Sequence, residues 1–288
     1  MSEDCYPAVA CIWEAMARKV GNVHRHADFA RTNLNDFLLS AVAIQTSYAD
    51  QSDIAVGMSV WNAVNATIDT VGQNTNLGIN LLLAPLVKVP DGESLRSGVA
   101  AVLRQLTIED ADYVYRAIRL ASPGGLGDAP EQDVHSPPTA TLLEAMKLAA
   151  DRDLIARQYA NGFDDVFGFG VPAFVEGLRR FGTVEAAIVN SQLRWLESYP
   201  DSLIARKNGL AVAESVRRQA AAVQKLGGIA TPAGRRAGLA LDCHLRSDGN
   251  KLNPGTIADL IAACLYVALR EKLVKPSDPF HWSTEEWL

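Results

Sequence analysis

An all-α fold is predicted from three features of the sequence. Apolar residues recur at helical spacing with strong helix formers between them, as in A-V-A-C-I-W-E-A-M-A (8–17). No stretch sustains the alternating, β-branched pattern of a strand, and strands do not alternate with helices. At 288 residues and 48% hydrophobic, the chain has enough apolar material for a large core. With no repeat at the ~20–50-residue period of solenoids, the expectation is a single compact domain over 1–288, many helices packed around buried central ones.

The elements follow in order. After the helix at 8–17, T-N-L-N introduces a second over 36–44, where asparagine supplies a helix start. Residues 76–87 are nearly all apolar, which predicts a helix buried on every side. Two helices are read over 93–106 and 107–120, the second opened by Thr107 with Asp110 in the manner of a capping box. A Gly/Pro-rich loop covers 122–138. The longest helix is predicted over 139–160 and is stopped by Asn161-Gly162. Further helices are read at 172–181, 183–197, 201–224 and 255–273.

Composition excludes several classes. The net charge of −6 argues against a nucleic-acid binder, which usually carries a basic footprint. The four cysteines form no C-x-x-C pair and read as reduced, mostly buried thiols of a cytosolic protein. The first residues lack the basic start and apolar run of a signal peptide. The longest apolar stretch, 257–269, is too short to span a bilayer and carries Asp259. A cytoplasmic protein without a membrane partner is therefore expected. The five histidines show no zinc-ligand spacing, and no G-x-S-x-G elbow is present. Trp282 and Trp287 are expected to dock onto the body or onto another subunit, which leaves a homodimer open.

Four polar clusters interrupt the apolar helices. Lys19, Gly21, Asn22, His24, Arg25 and Asp28 form the first. It reads either as a solvated turn or as a loop aiming backbone N–H groups and cations at a phosphate. Asn74, Thr75, Asn76 and Gly78 head the buried 76–87 helix, as caps or as ligand contacts. P-G-G-L-G-D-A-P-E-Q-D-V (123–134) matches neither a Walker A loop nor a dinucleotide fingerprint. Its Glu131 and Asp133 are either Mg²⁺ ligands or solvated charges. In R-S-D-G-N-K-L-N-P-G-T-I-A-D-L (246–260), Pro254-Gly255 marks a turn and Thr256 a cap. Asp259 then falls inside an apolar helix, where a carboxylate needs a partner, a cation or a substrate. Asp151 shares a predicted helical face with Glu144 and Lys147, and the flanking Ala149 and Ala150 allow close packing.

K-V-G-N-V (19–23), N-T-N-L-G (74–78) and L-N-P-G-T-I-A-D-L (252–260) together resemble, in the same order, segments of the triphosphoribosyl-dephospho-CoA synthase family. The resemblance implies an all-helical pentosyltransferase. Such an enzyme moves the triphosphoribosyl part of ATP to the ribose of 3′-dephospho-CoA, releases adenine and uses Mg²⁺. It implies a nucleotide-binding role for Lys19, Gly21, Asn22, His24 and Arg25, for Asn74, Thr75, Asn76 and Gly78, and for Asn253 and Gly255. Asp28, Asp151 and Asp259 become the catalytic carboxylates. Asp28, Asp151, Glu131 and Asp133 become the metal ligands. The chain departs from the family at Val20, which replaces a proline, and at Asn76-Leu77, which replaces a His-Lys pair. The family's R-G-E-A segment has no clear match. These departures resemble a branch of methanogens and methylotrophs, which implies a ribitol-containing precursor of tetrahydromethanopterin as another acceptor. A hydrolase using water as acceptor and a non-catalytic nucleotide-binding homologue are the remaining readings.

Overall fold

The computed structural model describes residues 2–49, 54–125, 127 and 131–283. Among them are fourteen α-helices and no strand. In chain order these are α1 Tyr6–Met16, α2 Leu34–Gln45, α3 Val56–Val71, α4 Leu77–Val87, α5 Leu95–Arg104, α6 Ile108–Ala121 and α7 Leu142–Ala149. There follow α8 Leu154–Asn161, α9 Val171–Phe181, α10 Val184–Ser198, α11 Ser202–Asn208, α12 Leu210–Lys225, α13 Pro232–Arg246 and α14 Gly255–Arg270.

Local chemistry sets most of the boundaries. Asn33 with Asp36, Thr107 with Asp110, and Thr141 with Glu144 each form a reciprocal capping box, satisfying otherwise orphaned N–H groups at the starts of α2, α6 and α7. Helices α3, α8 and α9 stop at Gly72, Gly162 and Gly182, which take the left-handed backbone that ends a helix.

Two helices form the centre. In α14 every residue is buried except Gly255, Asp259 and Arg270, and the helix packs against α1, α4, α9 and α10. Helix α4 contributes the fully buried Leu82, Leu83 and Leu86 and contacts α3, α5, α8 and α14. Burying each such leucine contributes on the order of 1.5–3 kcal/mol, so the α4–α14 pair is a rigid axis for whatever its ends carry. Both helices begin at the same end of the molecule.

The structure departs from the sequence reading in five places. The stretch predicted as one helix over 139–160 is two, because Asp153 turns extended and its carboxylate caps α8 by accepting from Ile155 and Ala156 N–H. Asp151 therefore lies beyond the end of α7 and not on a face with Glu144, whose carboxylate is engaged in its own capping box. The 201–224 stretch is likewise split, at Gly209, whose φ of 89° no helix tolerates. Helices α3 and α13 went unread. Thr256 does not cap its own helix: its hydroxyl accepts from Leu203 N–H at the start of α11. Of the cysteines, which are all free, only Cys11 and Cys264 are buried.

No described helix is long and apolar enough to cross a membrane. Trp282 is buried, and the backbone before it is held by hydrogen bonds from Val184 and Glu185 N–H to the carbonyls of Pro279 and Phe280. Trp287 and residues 126 and 128–130 of the glycine-rich loop lie outside the described residues.

Candidate active site

The starts of α4, α8, α11 and α14 converge. Ser202 Oγ accepts from Leu154 N–H (2.8 Å), and Thr256 Oγ1 accepts from Leu203 N–H (3.1 Å). The buried Asp201 carboxylate takes Ile204 N–H (3.0 Å) and Ile257 N–H (2.8 Å), fastening α11 to α14. Its pKa is raised to about 6, chiefly because burial disfavours the charge, although backbone donors oppose the shift.

In front of this knot lies a cavity of about 1240 Å³, walled by α4, α6, α7, α8, α11 and the first turns of α14. Its floor is acidic. Asp259 sits there against Gly78, where a β-carbon would come within 2.0 Å of Asp259 Oδ2. No hydrogen bond or ion pair to the Asp259 carboxylate forms among the described residues. Its pKa is pushed well above the usual carboxylate range, first by loss of water and then by Glu14, Asp201 and Asp153, with Arg206 acting in the opposite sense. Glu14 joins it at the floor, buried and paired at 2.9 Å with the fully buried Lys19 ammonium.

The lining also carries cations. Arg152 is exposed there, Arg206 reaches Asp153 (3.3 Å) and the Gly124 carbonyl (3.2 Å), and Lys207 reaches Asn253 Oδ1 (3.2 Å). Lys207 is shifted below its ordinary pKa by burial and by the neighbouring Arg206. A surface of this kind suits a large anionic ligand with a less polar end directed to the floor.

The structure sorts the residues singled out in the sequence. Asn22, Asn74, Thr75, Asn76, Gly78, Asn253, Gly255, Asp151, Asp259, Glu131 and Asp133 line the cavity. Lys19, Gly21, His24, Arg25 and Asp28 do not. Lys19 is spent on Glu14. Arg25 binds Glu185 (2.7 Å), which Arg18 also holds (3.1 Å), and Glu185 accepts from Trp282 N–H as well (2.9 Å). Gly21 donates to Asp242 Oδ1 (2.7 Å). His24 is lowered to a pKa of about 3, by burial first and then by Arg246 and Lys19, and so brings no positive charge to a phosphate. Asp28 is exposed and accepts from Leu34 N–H at the start of α2 (2.8 Å). Apart from Asn22, the first cluster thus stands outside the cavity lining and is tied up in contacts of its own.

Glu14, Arg152, Arg206 and Lys207 were missed. The one available signal was Glu14, an acidic residue inside an apolar helix and five positions before a lysine.

The structure is an all-helical body around a large cavity whose lining carries both carboxylates and cations. The chain belongs to the CitG family, ATP:dephospho-CoA triphosphoribosyl transferase, whose description matches residues 7–278. It is 34% identical over 113 residues to a Pseudomonas putida protein named as a 2-(5''-triphosphoribosyl)-3'-dephosphocoenzyme-A synthase. That match spans 39% of this chain and 40% of the relative's length. A crystal structure from Archaeoglobus fulgidus, described as a candidate triphosphoribosyl-dephospho-CoA synthase, superposes with a TM-score of 0.64 at 26% identity. It covers 81% of this chain and 98% of that one.

Proposed function

We propose that this protein transfers the triphosphoribosyl group of ATP to a ribose hydroxyl of 3′-dephospho-CoA and releases adenine. The observation that carries the reading is the lining of the cavity in a member of this family, which combines the buried Asp259 and Glu14 with the cations Arg152, Arg206 and Lys207. The reaction breaks the bond between ribose C1′ and the base, whose electron pair leaves with adenine. A C1′–O bond forms, and the proton lost by the acceptor hydroxyl balances the one gained by the base.

Each group has a task in that scheme. The cations take the triphosphate. Asp259, whose carboxyl is pushed above the usual range by burial and neighbouring carboxylates, donates to the departing base as general acid. Glu14, held in place by Lys19, offsets the positive charge that grows on C1′. Dephospho-CoA is favoured as acceptor over a ribitol-containing pterin precursor because both relatives described above carry that name.

Magnesium fits as a companion of the triphosphate. Mg²⁺ retains waters and needs only one or two protein carboxylates beside phosphate oxygens. Among the described residues no three His, Cys, Asp or Glu side chains are arranged to hold a metal unaided, which accords with that division. Asp151 and Glu131, exposed at the cavity wall, would hold it. Asp133 is turned to its own loop, accepting from His135 N–H (2.8 Å). The ion would neutralise phosphate charge when bound.

The test is free adenine released from ATP with Mg²⁺, with and without dephospho-CoA. Release that requires dephospho-CoA is expected. Release indifferent to it points to hydrolysis, and ATP binding without release to a non-catalytic homologue; either outcome refutes the transfer reaction.

A further inference from the structure

The first residue of the cavity's α4 margin carries an unspent donor. Asn76 is only 4% exposed and lines the cavity, yet its Nδ2 has no hydrogen-bond partner. A buried amide N–H left unpaired costs about 1–3 kcal/mol, so it calls for an acceptor that arrives with a ligand.

The orientation of this amide is set by a relay. The buried Tyr48 hydroxyl lies within donating distance of Asn80 Oδ1 (3.0 Å) and of the Asn80 backbone carbonyl (3.3 Å), the side-chain oxygen being the nearer. Asn80, itself fully buried, therefore presents Nδ2 to Asn76 Oδ1 (3.0 Å). Tyr48 stays a neutral donor because burial raises its pKa well above the ordinary value. With Asn76 Oδ1 engaged by Asn80, its Nδ2 is the unpaired end of the relay, in a residue that lines the cavity. Two positions on, Gly78 abuts Asp259.

The chemistry of the neighbourhood selects the acceptor. Phosphate oxygens are disfavoured beside the buried Glu14 carboxylate. Ribose hydroxyls can donate to that carboxylate and have less need of an amide. An atom that only accepts is the complement of a group that here only donates, and the adenine ring nitrogens are such atoms. Those flanking the scissile bond, N3 and N7, gain electron density as the base departs, so a fixed N–H would bind them more strongly in the transition state.

We propose that Asn76 Nδ2 donates a hydrogen bond to the N3 or N7 edge of the ATP base, with Asn80 and Tyr48 as the residues that position it. The inference rests on ATP being the ribosyl donor. It places the base and C1′ beside Asp259 and Glu14, and the triphosphate beside Arg152, Arg206 and Lys207.

The experiment compares adenine or deaza-adenine release from ATP, 3-deaza-ATP and 7-deaza-ATP by the wild type and Asn76→Ala. Dephospho-CoA and Mg²⁺ are present, and the fold is checked by circular dichroism. The wild type should prefer ATP over one of the two analogues by about tenfold or more in kcat/KM beyond the ratio seen in the variant. Asn76→Ala should lose a similar factor on ATP and little on that analogue. Tyr48→Phe, which leaves Asn76 in place, should lower kcat several-fold with the KM for dephospho-CoA unchanged. Identical discrimination in wild type and Asn76→Ala, or full activity of the variant on ATP, overturns the assignment while leaving the transfer reaction intact. Failure of the wild type to release adenine from ATP overturns both, and is seen before any variant is assayed.

Discussion

Gly78 has ordinary helical backbone, so its lack of a side chain is a matter of room: Asp259 occupies the space a β-carbon would fill. Gly78→Ala must move that carboxylate, and misplacement of about 1 Å at a reacting group costs on the order of a hundredfold. Adenine release should fall by about that factor, with the far-ultraviolet spectrum unchanged. Asp259 itself gives two pH signatures. As a proton donor it is active while protonated, so kcat/KM should decline as pH rises through its raised pKa, and Asp259→Asn should abolish that limb together with about 10²–10⁴ of the rate. The stability effect has a definite sign. A carboxyl whose folded pKa exceeds its unfolded one loses stability as pH rises through the folded value, so Asp259→Asn should melt above the wild type in alkaline buffer. Asn74, Asn76, Gly78, Asn253 and Asp259 stood out in the sequence as polar or glycine positions at apolar helices, the family resemblance implied a ligand there, and the structure puts them at the cavity. Arg206 and Lys207 did not stand out, since two cations at a helix end are ordinary and only the tertiary fold turns them inward.

At the scale of elements, mutual capping decides the architecture near the cavity. Asp201 joins α11 to α14, and burial raises its pKa from 3.8 to about 6. Its contribution to stability is full below pH 3.8 and is lost as pH rises through about 6, amounting to about 3 kcal/mol across that window. Thermal melts between pH 4 and ~7 should show the wild type falling relative to Asp201→Asn, whose own curve lacks this component. The helix start at Thr107 was legible because its capping box is written within four consecutive residues; near Asn33 the asparagines marked a start, but the box with Asp36 went unread. The break at Asp153 was not legible, because the alanine-rich flanks keep the helical pattern and the cap competes only once Ser202 offers an acceptor to Leu154. Helix α3 was missed because its Gly, Asn and Thr residues are weak helix formers, rescued here by packing on α6. Helix α13 was missed for its two glycines, Gly234 and Gly238.

For the molecule as a whole, the cavity lining combines cations with carboxylates, and a cation removed from it should be felt in binding rather than in chemistry. Arg206→Ala and Lys207→Ala should each raise the KM for ATP about tenfold or more and flatten its dependence on salt, with kcat less affected. Steady-state kinetics at two ionic strengths check this. The all-α class was legible from periodicity alone, whereas the polarity of the cavity was not, since its wall and floor come from segments spread between Glu14 and Asp259. The same dispersal bears on biogenesis. Glu185 clasps Arg18 and Arg25 near the front of the chain and the Trp282 backbone near its far end. A nascent polypeptide must therefore emerge beyond Trp282 before that clasp can close behind the pocket, and until then three charged side chains destined for burial stay in water. Ribosome-bound intermediates of this protein should be helical long before they can hold a nucleotide.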